Sequence, residues 1–163
     1  MTGPRLTADE RRQQIAIAAV DVFAAHGYAA TSTDAIARSV GVSQPYVVRL
    51  FASKTGIFVA AAEYVFDRIE RQLSDLLRQA GAPSEPGSFA NCRGLLEDET
   101  ISRFLVQLYS CACIDDEIQR VASDGFSRVC VLLLDLLGGD VSKVNALLGE
   151  MLVRTIGVQA RVP

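Results

Sequence analysis

Residues 41–54 read GVSQPYVVRLFASK, and which side of a helix each of them occupies decides the fold. Gly41 can supply the positive φ of a tight turn, Ser43 stands at an N-cap position, and Pro45 falls in a first helical turn, where its missing N–H costs nothing. With Val47 set at zero and about 100° added per residue, Leu50 and Phe51 fall beside it, while Pro45, Tyr46 and Arg49 fall on the other side. Such a helix is pinned by its apolar side and leaves the tyrosine and arginine outward. Just upstream, TDAIARSV (33–40), capped by Ser32 and stopped by Gly41, is a second short helix. Two short helices joined by GVS fit a helix-turn-helix.

The same periodicity extends outward. Thr7 and Glu10 are spaced as a capping box, and Ile15, Ala19, Val22, Phe23 and His26 recur at helical intervals up to Gly27, which predicts a helix over 8–26. Ser53 stands before a long helix from 54 to about 79, and AGAPSEPGSFANCRG (80–94) has loop composition, with at most one helical turn. Further helices are expected over 99–113, over 116–137 with an Asp115 cap and a Gly138–Gly139 stop, and over 141–157 with an Asp140 cap. No strand signal is present, so the fold is read as all-α in two parts joined by the long helix.

Composition narrows the function. Half of the 163 residues are hydrophobic, enough for a sizeable core. The longest apolar run, VCVLLLDLLGG (129–139), is interrupted by Asp135 and is far short of the ~20 residues of a membrane span. The N-terminus has no signal-peptide pattern, and a cytoplasmic location is expected. Cys92, Cys111, Cys113 and Cys130 fit no zinc spacing and are read as small buried hydrophobes, with a thiol sensor as the other reading. His26 reads as a helix C-terminal residue rather than a base, and a Cys–His pair has no third partner. No catalytic residue, metal or cofactor is expected. The net charge of −3 is uneven: residues 1–56 hold six basic and four acidic groups, net +2, which leaves −5 on the remainder. The N-terminal third is thus the part suited to an anionic partner. Arg5, Arg11 and Arg12 either reach a phosphate or minor groove as an arm or only solubilise the N-terminus.

An exposed helix of this kind can enter a DNA major groove, with Arg49 donating twice to guanine O6 and N7 and Tyr46 meeting a thymine methyl or a phosphate. Residues 15–58 resemble the DNA-binding region of the TetR family of transcriptional regulators. The resemblance rests on Ala19, Phe23, Gly27 and Tyr28, on Thr31-Ser32 followed by Ile36-Ala37, on the GVS turn, and on Phe51, Ser53 and Lys54. It implies base contacts from Gln44, Pro45, Tyr46 and Arg49 and phosphate contacts from Thr31, Ser32, Ser43 and Lys54. Val48 and Leu50 stand where family members often carry aromatic residues, and Gly56 is expected to weaken the start of the long helix by about 1 kcal/mol.

The resemblance further implies a DNA-binding domain over 1–53, a ligand-binding and dimerisation domain over 54–163, and a repressor that leaves a palindromic double-stranded operator when a small effector binds. Tyr64, Phe104, Leu108, Tyr109, Phe126 and Cys130 are the candidate effector-pocket residues, each also readable as plain core. Their chemistry suits a mainly apolar effector. Homodimer contacts are expected from Leu133, Leu137, Val144, Leu147, Leu148, Met151 and Leu152, with Ala146 and Gly149 small enough to admit another helix. The rival reading is a helical carrier or sensor of an apolar molecule that does not touch DNA.

Overall fold

The computed structural model describes residues 7–79 and 98–155, which form seven α-helices and no strand. In chain order these are α1 (Ala8–His26), α2 (Thr33–Ser39), α3 (Gln44–Phe51), α4 (Lys54–Gln79), α5 (Glu99–Ala112), α6 (Asp116–Leu136) and α7 (Val141–Thr155). Each described boundary falls within a residue or so of its expected place. The 80–94 loop, Cys92, Arg5 and the last two residues of the 141–157 helix lie outside the described residues.

The helix ends follow from local chemistry. At α1 the Thr7 hydroxyl accepts the Glu10 N–H at 3.2 Å and the Glu10 carboxylate accepts the Thr7 N–H at 2.7 Å, a complete capping box. That backbone bond holds the Glu10 carboxyl below its ordinary pKa. Asp98 accepts the Ile101 N–H at α5, Asp115 those of Glu117 and Ile118 at α6, and Asp140 those of Ser142 and Lys143 at α7. Gly27 ends α1 at φ 81°, ψ 159°, a positive-φ extended conformation rather than the left-handed helical one expected, and essentially open to glycine alone. Gly41 adopts φ 67° in the turn between α2 and α3.

One continuous hydrophobic core runs through both halves, from Ile15 and Phe23 to Leu136 and Leu147. Phe58 of α4 lies 4.8 Å from Phe23, 4.8 Å from Tyr28 and 5.1 Å from Phe104, centroid to centroid, so a single ring cluster joins α1, the α1–α2 turn, α4 and α5. On the other side, α4 packs along α6. The Phe66 ring, 1% exposed, lies so close to α6 that a Cβ on Gly125 would sit 2.1 Å from it. Arg128 of α6 pairs with Glu70 of α4 at 2.7 Å, and Arg68 of α4 with the α5 cap Asp98 at 2.9 Å.

Gly56 is not the weak point it was expected to be. A Cβ there would lie 2.2 Å from the Phe51 carbonyl oxygen, so the α3–α4 junction closes only around a glycine. The same tight corner holds Ala52 at φ 64°, ψ −42°, and the Gly56 N–H donates to the Ser53 hydroxyl at 2.9 Å. His26 is exposed at the last position of α1, off the apolar face. Of the three described cysteines only Cys111 is buried; Cys130 is half-buried, and Cys113 is exposed with its thiol donating to the Tyr109 carbonyl at 3.3 Å. Burial raises the pKa of Cys111 and Cys130, the opposite of what a reactive thiol needs.

Gly125→Ala tests the α4–α6 contact. The methyl would gain about 1 kcal/mol of helix propensity and force the Phe66 ring to shift, an overpacking that costs about 1–3 kcal/mol. The expected outcome is a net loss of stability in urea unfolding. A gain would mean that the Phe66 ring shifts freely.

Candidate nucleic-acid interface and interior cavity

The two short helices are fixed by their buried sides. Val47 and Phe51 of α3 and Ile36 and Ala37 of α2 are buried in the core that includes Ile15, Ala19 and Val20 of α1. Arg49 and Pro45 are exposed on the opposite side, and Gln44 and Val48 are exposed beside the stripe. Tyr46 differs from expectation: it is half-buried and packed on the core, because at about 100° from Val47 it flanks the apolar stripe rather than opposing it. Its ring lies 5.1 Å beneath the Arg49 guanidinium, so the arginine projects from an aromatic shelf.

Around this face, Ser32 is exposed and its hydroxyl accepts the Ala35 N–H at 3.1 Å. Ser43 occupies the cap position of α3 but its hydroxyl makes no cap bond, which corrects the expectation that it caps the helix and leaves that group to other partners. The Gln44 side-chain amide donates to the Thr33 hydroxyl at 2.9 Å, joining the N-terminal ends of α2 and α3. These ends therefore form one surface bearing Ser32, Ser43, Gln44 and Pro45, with Arg49 exposed in the last turn of α3. Asp34, the acid nearest to it in α2, is paired with Arg38 one turn on.

Two of the expected phosphate residues have partners within the chain. Thr31 is 3% exposed and donates its hydroxyl to the Gly27 carbonyl at 2.7 Å, so it closes the α1–α2 turn from inside. The Lys54 ammonium donates to the carbonyls of Tyr28 at 2.9 Å and Ala29 at 3.3 Å and lies 4.5 Å over the Tyr28 ring. Thr55 meets the Tyr28 hydroxyl at 2.9 Å. Together Lys54 and Thr55 fasten α4 to the α1–α2 turn. Arg12 is likewise neither arm nor solubilising group: its guanidinium donates to the Leu50 carbonyl and lies 4.6 Å over the Phe51 ring, holding the end of α3. Nothing in its surroundings in the chain pointed to a partner 38 residues away. Arg11 bonds Gln14 on its own helix.

The second half contains a partly open cavity of about 50 Å³ between α4, α5, α6 and α7. Tyr109 and Phe126 line it as expected, their rings 6.0 Å apart and at 86°. Burial pushes the Tyr109 hydroxyl up to about 12, with Cys130 adding to the shift, so it stays a neutral phenol. The other four candidates lie elsewhere. On α5, Ile101, Ser102, Leu105 and Tyr109 face the cavity, while Phe104 and Leu108 do not line it, and Phe104 joins the ring cluster with Phe23 and Phe58. Tyr64 lines an outer groove between α1 and α4 with Arg12, Glu63 and Arg71. Cys130 is one step round α6 from Val129, which does line the cavity.

The expected dimer stripe also turns inward. Leu133, Leu147, Leu148 and Met151 line the cavity, and Leu137 and Val144 are buried beneath the α6–α7 turn; Leu152 alone of the seven is exposed. A helical stripe records that one side is covered but not by what. On α7, Val141 is more than half exposed and Leu152, Val153, Ala146 and Gly149 are exposed; on α6, Val131 is more than half exposed. Among the described residues no helix is long and apolar enough to cross a membrane, and no cluster of His, Cys, Asp and Glu could hold a metal ion.

Comparison with known proteins agrees with this architecture. Residues 15–61 match the model of the bacterial regulatory proteins of the tetR family. The chain is 40% identical over 76 residues to the HTH-type transcriptional activator FasR of Mycolicibacterium smegmatis, a match covering 47% of this chain and 35% of that protein. It thus spans about a third of the length of that relative. The fold is shared with a protein of Pseudomonas aeruginosa PAO1 (TM-score 0.75, 19% identity, 98% of this chain and 86% of that one). It is shared also with a TetR family transcription regulator of Marinobacter aquaeolei VT8 (TM-score 0.69, 21% identity, 94% and 88%). The helix-turn-helix that residues 15–61 build thus matches the tetR-family model, and the all-helical body that carries it has the fold of those solved structures.

Proposed function

We propose that the chain is a homodimeric transcriptional regulator, not an enzyme, that reads a palindromic duplex through α3 and changes its grip when a small, mainly apolar effector enters the α4–α7 cavity. The observation that carries this reading is the two-sidedness of α3: Val47 and Phe51 are sealed in the core while Arg49 stands exposed over Tyr46. A guanidinium so presented can donate two hydrogen bonds to one guanine, and Val48, 40% exposed beside it, offers an apolar contact for a thymine methyl. Ser32 and Ser43 lie at helix N-terminal ends on the same surface, where hydroxyls and amides suit phosphate. A dimer fits a short reading helix, because two copies set about 34 Å apart read successive turns of the duplex. The exposed Val131, Val141, Leu152 and Val153 are the surface for it.

Two rigid links favour transmission from cavity to DNA surface. α4 carries Phe66, Ile69 and Leu73 into the cavity wall and Lys54 and Gly56 into the helix-turn-helix. α5 carries Leu105 and Tyr109 into the same wall and Phe104 against Phe23. Repression is the sign first expected; the relative from Mycolicibacterium smegmatis is named an activator, which favours activation as the second reading. Transcription in vitro with and without the protein separates them.

In a gel shift with the DNA upstream of its own gene, Arg49→Ala is expected to weaken binding by about 1–3 kcal/mol per site, roughly tenfold or more. Unchanged binding would remove Arg49 as the reading residue, and no binding by the parent protein at any salt would favour the DNA-free carrier. If a dimer neutralises ~6 phosphates, affinity should fall about a thousandfold between roughly 50 and 200 mM salt. Lys54→Ala is expected to cost about 1 kcal/mol of stability and leave that salt slope alone, since its ammonium is held by carbonyls. A slope shallower by about 1 would return Lys54 to the phosphates.

A further inference from the structure

The interior cavity is too small for its proposed occupant. About 50 Å³ holds a few water molecules, whereas pockets for small ligands run to roughly 300–1,000 Å³. An open groove of about 430 Å³ lies on the outer side of the same wall, between α5 and α6, lined by Tyr109, Ala112, Cys113, Gln119, Ala122, Ser123 and Phe126. Cavity and groove share two residues, Tyr109 and Phe126, whose rings meet edge to face between them. Both rings are half-buried, in contrast to the sealed Phe66 and Phe104.

The lining specifies what can pass. No charged side chain lines either space, and inside the cavity Ser102 and Tyr109 are the polar residues. In the groove the polar side chains are Tyr109, Gln119, Ser123 and Cys113, all neutral, and the exposed Asp116 in the first turn of α6 opposes an anionic group nearby. We propose that Tyr109 and Phe126 form a gate between groove and cavity, and that the effector is an elongated, uncharged molecule whose apolar part lodges among α4–α7 while its polar end stays beside Gln119 and Ser123. Swinging the two rings aside merges the spaces into one site of ligand size. This rests on the effector reading above.

Stopped-flow fluorescence of the full chain with the neutral apolar probe N-phenyl-1-naphthylamine tests the gate. Phe126→Ala is expected to raise the association rate constant about tenfold, because entry no longer waits on a ring, and Ser123→Trp, at an exposed groove position, to lower it about tenfold with an unchanged melting temperature. Should Phe126→Ala fail to fold, Ser123→Trp carries the test alone. Binding at the parent rate in every folded variant would overturn the gate and leave the effector cavity standing. No probe binding by the parent or by Phe126→Ala would overturn cavity and gate together. The anionic analogue 1-anilinonaphthalene-8-sulfonate is expected to bind at least about tenfold more weakly than the neutral probe; equal affinity would overturn the uncharged end.

Discussion

Four aromatic rings hold this molecule in one piece. Phe23, Tyr28, Phe58 and Phe104 come from α1, the α1–α2 turn, α4 and α5, and each touches at least one other at 4.8–6.5 Å. Edge-to-face and tilted ring pairs contribute about 0.5–1.5 kcal/mol each beyond the apolar area they remove from water. Tyr28 is the pivotal member because it has a polar side as well. Its ring underlies the Lys54 ammonium, its hydroxyl meets Thr55, and its carbonyl accepts from Lys54. The start of α4 is thereby set against the turn that positions α2, and α2 in turn supports α3.

The direction in which Arg49 points is a consequence of that assembly. Val47 and Phe51 enter a core already walled by Ile15, Ile36 and Ile57, Arg12 clasps the last turn of α3, and the glycine at 56 lets α4 leave at once. No charge is buried to achieve this. The charged groups of the helix-turn-helix lie either at helix ends, over rings, or on the outer face, which keeps desolvation small and leaves the guanidinium free for a partner.

The helices themselves were legible in the chain. Capping residues, glycine stops and the apolar repeat act over three or four residues, and every described helix from α1 to α7 lies where those signals put it. The inward and outward sides of α3 were legible too, except at Tyr46, which stands at the edge of the stripe. Partners inside the chain were less legible. Thr31 donates to the Gly27 carbonyl one turn back, and Lys54 to the carbonyls of Tyr28 and Ala29, some 25 residues away. Phe104 and Leu108 look like pocket residues until α5 is rotated against α1.

Taken alone, the chain determined seven helical segments, their ends, the helix-turn-helix and its exposed arginine, because each of these is fixed by neighbours close in sequence. Only the tertiary structure decided what covers each apolar stripe. Leu133, Leu147, Leu148 and Met151 line an interior cavity, and Tyr109 and Phe126 line both that cavity and the outer groove. The reason is physical: hydrophobic burial has no direction, so a stripe states that water must be excluded while the packing of whole helices chooses the surface that excludes it.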